Sequence, residues 1–235
     1  MKTEVKPSFD LSGKVALVTG ASRGLGAGMA RALAAAGADL ALASRTVEDL
    51  DRVADEIRGM GRRALVVPVD LSQVSQVQAM VAAAEKHYGQ IDILLNNAGF
   101  NIRKPALEVS QEEWDRLHAV NLKAVFFASQ AAAPGMIARG GGKIINVASL
   151  TTVLGFPNQS VYGASRGGVG QLTKALAVEW APHRINVNAI GPGYYETAQT
   201  RPLFEDPDKR IWIQKRIPLG RTGVPEDLAG ALLFL

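Results

Sequence analysis

Tyr162 and Arg166 stand four residues apart in a stretch of helical character, so a phenol and a fixed cation share one helix face. An unperturbed phenol titrates at about 10, and neighbouring positive charge lowers that value. Such a pair suits donation of a proton, or of a strong hydrogen bond, to an oxygen that gains negative charge, as a ketone does when it receives hydride. Ser149, at the end of an apolar run, adds a hydroxyl that can hold the same oxygen. The chain has no cysteine, which excludes disulfides and thiol catalysis. His87, His118 and His183 show no ligand spacing, and no metal site is expected.

A second cluster is built for binding. Residues 15–18 form a short apolar run, glycines follow at 20, 24 and 26, and residues 27–36 are strong helix formers. Strand, glycine-rich turn and helix is a layout that cradles a dinucleotide pyrophosphate on a helix N-terminus. The spacing is G-x-x-x-G-x-G and not G-x-G-x-x-G, so the flanking strand and helix carry the argument. Gly20, Ser22, Arg23, Gly24, Leu25 and Gly26 are therefore candidate cofactor contacts. A second strand ends at Ser44-Arg45, with no acid until Glu48. A carboxylate there would pair with a ribose hydroxyl and repel a 2′-phosphate, whereas Arg23, Arg45 and Ser44 suit the phosphate. The expected cofactor is NADP(H), in preference to NAD(H).

The elements that must position these groups alternate regularly. Strand-length apolar runs fall at 15–18, 39–43, 63–67, 91–95, 143–147 and 184–189. Helical stretches fall at 47–58, 73–88, 110–138 and 160–180, with Pro134-Gly135 expected to disturb the third. The fold class is α/β: one Rossmann-type, doubly wound parallel sheet with helices on both faces, a single domain over 1–235. Ligands in such sheets sit beyond the carboxyl ends of the strands. Those ends are Thr19-Gly20, Ser44-Arg45, Asp70, Asn96-Asn97-Ala98-Gly99, Ala148-Ser149 and Gly191-Pro192-Gly193, each marked by polar or glycine residues. Asn97 and Gly99 are expected to shape the turn under the cofactor.

Taken together, Thr19-Gly20-x-x-x-Gly24-x-Gly26, Asn96-Asn97-Ala98-Gly99, Asn121, Ser149, Tyr162 with a basic residue four positions on, and Pro192-Gly193-x-x-x-Thr197 resemble the short-chain dehydrogenase/reductase family over residues 9–235. The resemblance implies a nicotinamide-dependent oxidoreductase, commonly a homotetramer, that interconverts a ketone and a secondary alcohol. It implies a catalytic set of Asn121, Ser149, Tyr162 and Arg166, with Asn121 holding a water in an opened helix. It also implies that Asp70, followed by Leu71, meets the adenine, and that Thr197 meets the nicotinamide carboxamide. The family has lysine where this chain has Arg166. Arginine keeps the charge and can fork onto two hydroxyls, but it does not readily release a proton. The expectation is that Arg166 acts as an electrostatic substitute; the alternatives are a slow enzyme or an NADP(H)-binding sensor.

The Gly-Pro-Gly-Tyr stretch at 191–194 and the Gln-Leu-Thr-Lys stretch at 171–174 resemble sugar-acid dehydrogenases such as gluconate 5-dehydrogenase. They resemble 3-oxoacyl-carrier-protein reductases almost as well. The expected substrate is a sugar acid or polyol. Residues 194–217, with Tyr194, Tyr195, Phe204 and Trp212 among charges, read as a lid. With Phe100, Asn101, Thr151, Thr152, Phe156 and Asn158, it is expected to line the substrate pocket.

At 47% hydrophobic and 20% charged the chain reads as an ordinary globule, and its formal charge of +4 is scattered. No nucleic-acid surface, bilayer-spanning run or signal peptide is apparent, and a cytoplasmic location is expected. Residues 229–235 read as the start of a further element. The family pattern continues with another strand, so a C-terminal edge strand is expected to be missing.

Overall fold

The structure, a computed structural model, describes residues 9–197 and 200–235, the side chains at 202 and 203 excepted. Val15–Thr19 (β1) lies at the centre of the sheet and is buried along its whole length. It pairs in parallel with Asp39–Ser44 (β2) on one side and Ile93–Asn96 (β4) on the other. Ala64–Pro68 (β3) extends the β2 side, while Gly142–Val147 (β5) and Ile185–Ile190 (β6) extend the β4 side. The order among the described residues is β3-β2-β1-β4-β5-β6. Strand order reverses between β1 and β4, which opens a crevice at their carboxyl ends.

Successive side chains of a strand face opposite sides, and β1 uses both. Ala16 and Val18 join Leu40 and Leu42 against Gly24–Ala35 (α1) and Val47–Gly59 (α2). Leu17 joins Ala41 and Leu94 against Val74–Tyr88 (α3) and the helix after β4. This two-sided burial is why the strands read as continuous apolar runs. Truncating Leu17, wholly buried, would cost about 2–5 kcal/mol.

Two helix boundaries depart from the sequence pattern. α1 begins at Gly24, so the last glycines of the turn form its first helical turn. The 110–138 stretch is three elements: Gln111–His118 (α4), a π-helical segment Ala119–Lys123, and Ala124–Ala138 (α5). Ser110 and Glu113 close a capping box at the start of α4. Pro134 does not end α5, which runs on to Ala138. Only one backbone bond is lost there, and Gly135 leaves room for Glu85 of α3 to pack against it.

After β5 a short 3-10 turn, Leu150–Thr152, leads to Ser160–Trp180 (α6). After β6 the chain passes through Arg201–Phe204 (α7) and Pro207–Gln214 (α8), and ends with Ala229–Phe234 (α9). A bridge between Tyr195 and Gly223 joins the two ends of this excursion.

Candidate active site

A cleft of about 760 Å³ opens along the carboxyl ends of the strands, within the range of small-molecule sites. Its floor is the glycine turn. Gly20 and Gly24 have φ of +67° and +58°, a region L side chains rarely adopt. Gly26 is needed for a different reason: a Cβ there would run into the Gly20 carbonyl and the Asn97 side chain. Arg23, at the α1 N-cap, makes no capping hydrogen bond, so the first N–H groups of α1 are left for a ligand.

The turn is tied to β4 across the reversal point. Asn97 Nδ2 donates to the carbonyls of Thr19 (2.9 Å) and Gly20 (3.2 Å). Thr19 Oγ1 accepts from the backbone N–H of Asn97 (3.0 Å) and of Ala98 (3.2 Å). Asn97 thus acts on the turn through its side chain, and Gly99 gives space to Arg166, since a Cβ at 99 would lie 3.0 Å from the guanidinium carbon.

Ser44 and Arg45 line the cleft beyond β2, and Arg23 faces the same cleft from the turn. Neither arginine has an ion-pair partner among the described residues. Ser44 Oγ accepts from Thr46 N (3.2 Å), which turns the chain into α2. Asp70 Oδ1 accepts from Ser72 N (2.9 Å). The Ser72 backbone and side chain, with the Arg45 charge beside them, hold the Asp70 carboxyl below its usual range. Leu71, Ala98, Pro192, Gly193 and Thr197 complete this part of the lining.

At the other end stand Ser149, Tyr162 and Arg166. Ser149 is the first residue of the turn after β5. Its hydroxyl accepts from Thr151 N, and Thr152 Oγ1 accepts from Ser149 N, both at 3.2 Å. Thr152 Oγ1 in turn donates to the Arg166 carbonyl (3.2 Å), which fixes α6 against the turn. Arg166 is 4% exposed. Its Nη1 donates to the Val147 carbonyl at 2.8 Å, its Nε is buried without a partner, and its guanidinium carbon lies 5.3 Å from the Tyr162 ring centre. Among the described residues no carboxylate pairs with it. A buried guanidinium with so few partners is costly, and favours any negative charge formed beside it.

Asn121 does not line the cleft. It is wholly buried in the π segment, where the Ala124 N–H reaches back five residues to Ala119 O. Its Oδ1 accepts from Phe100 N (3.0 Å), and its Nδ2 donates to Phe100 O (2.9 Å) and Ser165 Oγ (3.3 Å). It therefore clamps the loop after β4 to α6 behind Tyr162.

The substrate end differs from the sequence expectation. Phe100 and Tyr195 line the cleft, whereas Asn101, Thr151, Thr152, Phe156 and Asn158 lie outside its lining. Asn101 instead donates to Gln159 Oε1 (3.0 Å), and Phe204 is buried within the lid. Two residues carried no sequence signal. Arg116 lines the cleft and stacks over Phe100, 5.3 Å from its ring centre. Arg103 is exposed as a residue, but desolvation lowers the pKa of its guanidinium, opposed by the nearby Tyr194 and Tyr162 phenols. Each is a lone arginine in a loop or on a helix surface, with no spacing to mark it.

Comparison with known proteins bears on the family and the fold. A family model described as short chain dehydrogenase matches residues 14–208. The chain is 46% identical over 229 residues to the 2-dehydro-3-deoxy-D-gluconate 5-dehydrogenase of Escherichia coli K12, covering 97% of this chain and 90% of that protein. It is 43% identical to the gluconate 5-dehydrogenase of Gluconobacter oxydans 621H, covering 97% and 89%. The crystal structure of a gluconate 5-dehydrogenase from Burkholderia cenocepacia J2315, in complex with NADP and tartrate, superposes with a TM-score of 0.93 at 41% identity, over 97% of this chain and 89% of that one. A glycine cradle at a strand-order reversal, a serine–tyrosine–arginine corner beside it and these matches together make the chain a member of the short-chain dehydrogenase family.

Proposed function

We propose that the chain is an NADP(H)-dependent oxidoreductase that interconverts a ketone and a secondary alcohol on a sugar acid, with D-gluconate and its 5-keto form as reference substrates. The observation that carries this is the meeting of Ser149, Tyr162 and Arg166 in the same cleft as the glycine cradle. The residues present fit the cofactor: the positive φ of Gly20 and Gly24 and the close packing of Gly26 hold the turn tight before the uncapped α1 N-terminus, and among the described residues neither Arg23 nor Arg45 forms a salt bridge. Arg23, Ser44 and Arg45 would hold the 2′-phosphate, Asp70 and Leu71 the adenine, and Pro192, Gly193 and Thr197 the nicotinamide end. When bound, the cofactor supplies or accepts the hydride.

Tyr162 Oη gives its proton to the substrate oxygen during reduction and takes it back during oxidation. Ser149 Oγ donates a hydrogen bond to that oxygen and fixes its position. Arg166 sets a guanidinium beside the Tyr162 ring, where it stabilises negative charge developing at the reacting oxygen without carrying the proton itself. Asn121 is a positioning residue through its clamp on Phe100 and Ser165. The similar sugar-acid dehydrogenases, and the similar gluconate 5-dehydrogenase in complex with NADP and tartrate, support the substrate class.

A cytoplasmic homotetramer belongs to the same proposal. Trp114 on α4, Ile137 on α5 and Val178 on α6 are exposed apolar side chains suited to subunit contact, and light scattering tests it. Among the described residues no helix is long and apolar enough to cross a membrane.

Absorbance at 340 nm with gluconate and 5-ketogluconate under both cofactors is the direct test; a tenfold preference for NAD would refute the phosphate reading. The unpaired Arg166 favours one second reading, a sensor that binds NADPH without turning over. Tight NADPH binding with no activity, rescued by Arg166→Lys, would establish it. Activity on 3-oxoacyl thioesters and not on sugar acids would move the chain to the acyl-reductase class.

A further inference from the structure

The cleft lining changes character beside its charged corner. Arg23, Ser44 and Arg45 make that corner, and Val69, Leu71, Ala98 and Val120 add apolar surface to the same lining. The two are joined directly, since Val69 N donates to the Ser44 carbonyl at 3.0 Å. Val69 and Leu71 are buried in one hydrophobic cluster, and Ala98 and Val120 pack against that cluster. Asp70, between Val69 and Leu71, brings a carboxylate to the edge of this apolar slot. Apolar walls with a hydrogen-bond acceptor at the rim suit a flat heterocycle that carries an exocyclic amine.

α4 brings a cation to the slot. Arg116 and Val120 are four residues apart on helical backbone, so they share a helix face, and both line the cleft. The Arg116 guanidinium carbon lies over the Phe100 ring, 5.3 Å from its centre. Phe100 is itself fixed, because Asn121 bonds both its N–H and its carbonyl. Among the described residues Arg116 forms no salt bridge. Glu113, one turn earlier, is taken by Lys104 (3.1 Å) and by the Ser110 N–H (2.9 Å). Arg116 is exposed, so a guanidinium with one face on a phenyl ring keeps its other face for a ligand. Such a plane, delocalised and weakly hydrated, stacks well on an aromatic heterocycle.

We infer that Arg116 is a further cofactor-binding residue, its guanidinium stacked between the Phe100 ring and the adenine of NADP(H). This contact rests on the NADP(H) reading above, and adds to it a hold on the adenosine half that does not depend on the 2′-phosphate.

Arg116→Ala, Arg116→Lys and the charge control Lys123→Ala, exposed and outside the cleft lining, test it in the full chain. Calorimetric titration uses adenosine 2′,5′-bisphosphate and ADP-ribose, which lacks the 2′-phosphate. Arg116→Ala should weaken both ligands about three- to tenfold, with the KM for D-gluconate at saturating NADP+ within about twofold of the wild type. Arg116→Lys should lose nearly as much, because lysine keeps the charge but has no plane, and Lys123→Ala should match the wild type. Unchanged nucleotide affinity in Arg116→Ala would overturn the inference, whatever happens to the gluconate KM. So would a loss confined to the bisphosphate or restored by lysine, which marks phosphate pairing, and so would an equal effect of Lys123→Ala, which marks diffuse charge. Equal wild-type affinity for the two ligands would sink the 2′-phosphate reading alone, and the Arg116 variants would still decide the stacking. If only the bisphosphate binds measurably, the lysine variant decides: lost affinity upholds stacking and retained affinity rejects it. A wild type that binds neither ligand rejects the cofactor reading and the adenine contact together.

Discussion

The two ends of the cleft are made by different means. At the cofactor end the floor is backbone, with positive-φ glycines, the uncapped start of α1, and a turn that Asn97 and Thr19 hold shut, and the side chains of Arg23, Ser44 and Arg45 stand at its rim. At the reacting end the working groups are side chains: the Ser149 hydroxyl accepts from Thr151 N within its own turn, Arg166 donates to the Val147 carbonyl, and Asn121 clamps Phe100 from outside the cleft lining. A backbone site tolerates little change in shape but much change in side-chain type. A side-chain site can absorb a substitution as large as arginine for lysine, provided that its neighbours make room, as Gly99 does.

The sharpest way to separate the ends is to break one and watch the other. Tyr162→Phe removes the proton donor and nothing from the cradle. Turnover should fall by roughly 10²–10⁴-fold while NADPH affinity, followed by nucleotide fluorescence, stays within a few-fold. Gly26→Ala does the reverse: its methyl meets the Gly20 carbonyl and Asn97, with a cost of about 1–3 kcal/mol. NADPH affinity should collapse and the melting temperature should drop by several degrees. An intact nucleotide affinity would show that the turn yields more easily than its packing implies.

Arg45→Ala probes the cofactor end more gently. Losing one charge-assisted contact to a phosphate is worth about 1.5–3 kcal/mol, so the KM for NADP+ should rise tenfold or more while that for NAD+ hardly changes. Arg166→Lys probes the reacting end: turnover should remain within about tenfold of the wild type, since charge is retained.

The smallest effect belongs to the lid return. Asp227 is held at a pKa of about 2 by the Arg221 guanidinium and the Val224 N–H. Its folded value lies below the unfolded one, so its contribution to stability is present above about pH 4 and is lost as pH falls through about 2. Asp227→Asn should lower the melting temperature slightly at pH 7, and the difference should close at the acid end.

Much of this was legible from residue order. The parallel sheet followed from apolar runs of strand length between helical stretches, because two-sided burial leaves that pattern in any chain. The glycine turn, the Ser44-Arg45 strand end and the Tyr162–Arg166 pair were legible because their geometry is set within a few residues. The break of the 110–138 stretch at Asn121 was not, nor was the survival of α5 through Pro134. A π segment and a tolerated proline depend on what packs against the helix, here Phe100 and Glu85.

Residue type and short spacing by themselves determined the fold class, the glycine turn and the Tyr162–Arg166 spacing, since dihedral preference, helical period and strand alternation act locally. Only the tertiary structure decided that Arg166 is buried beneath the site with Gly99 making its space, and that Asn121 clamps the loop after β4 to α6. Those contacts join residues far apart in the chain, and their distances are set by how the layers stack, which no local spacing records.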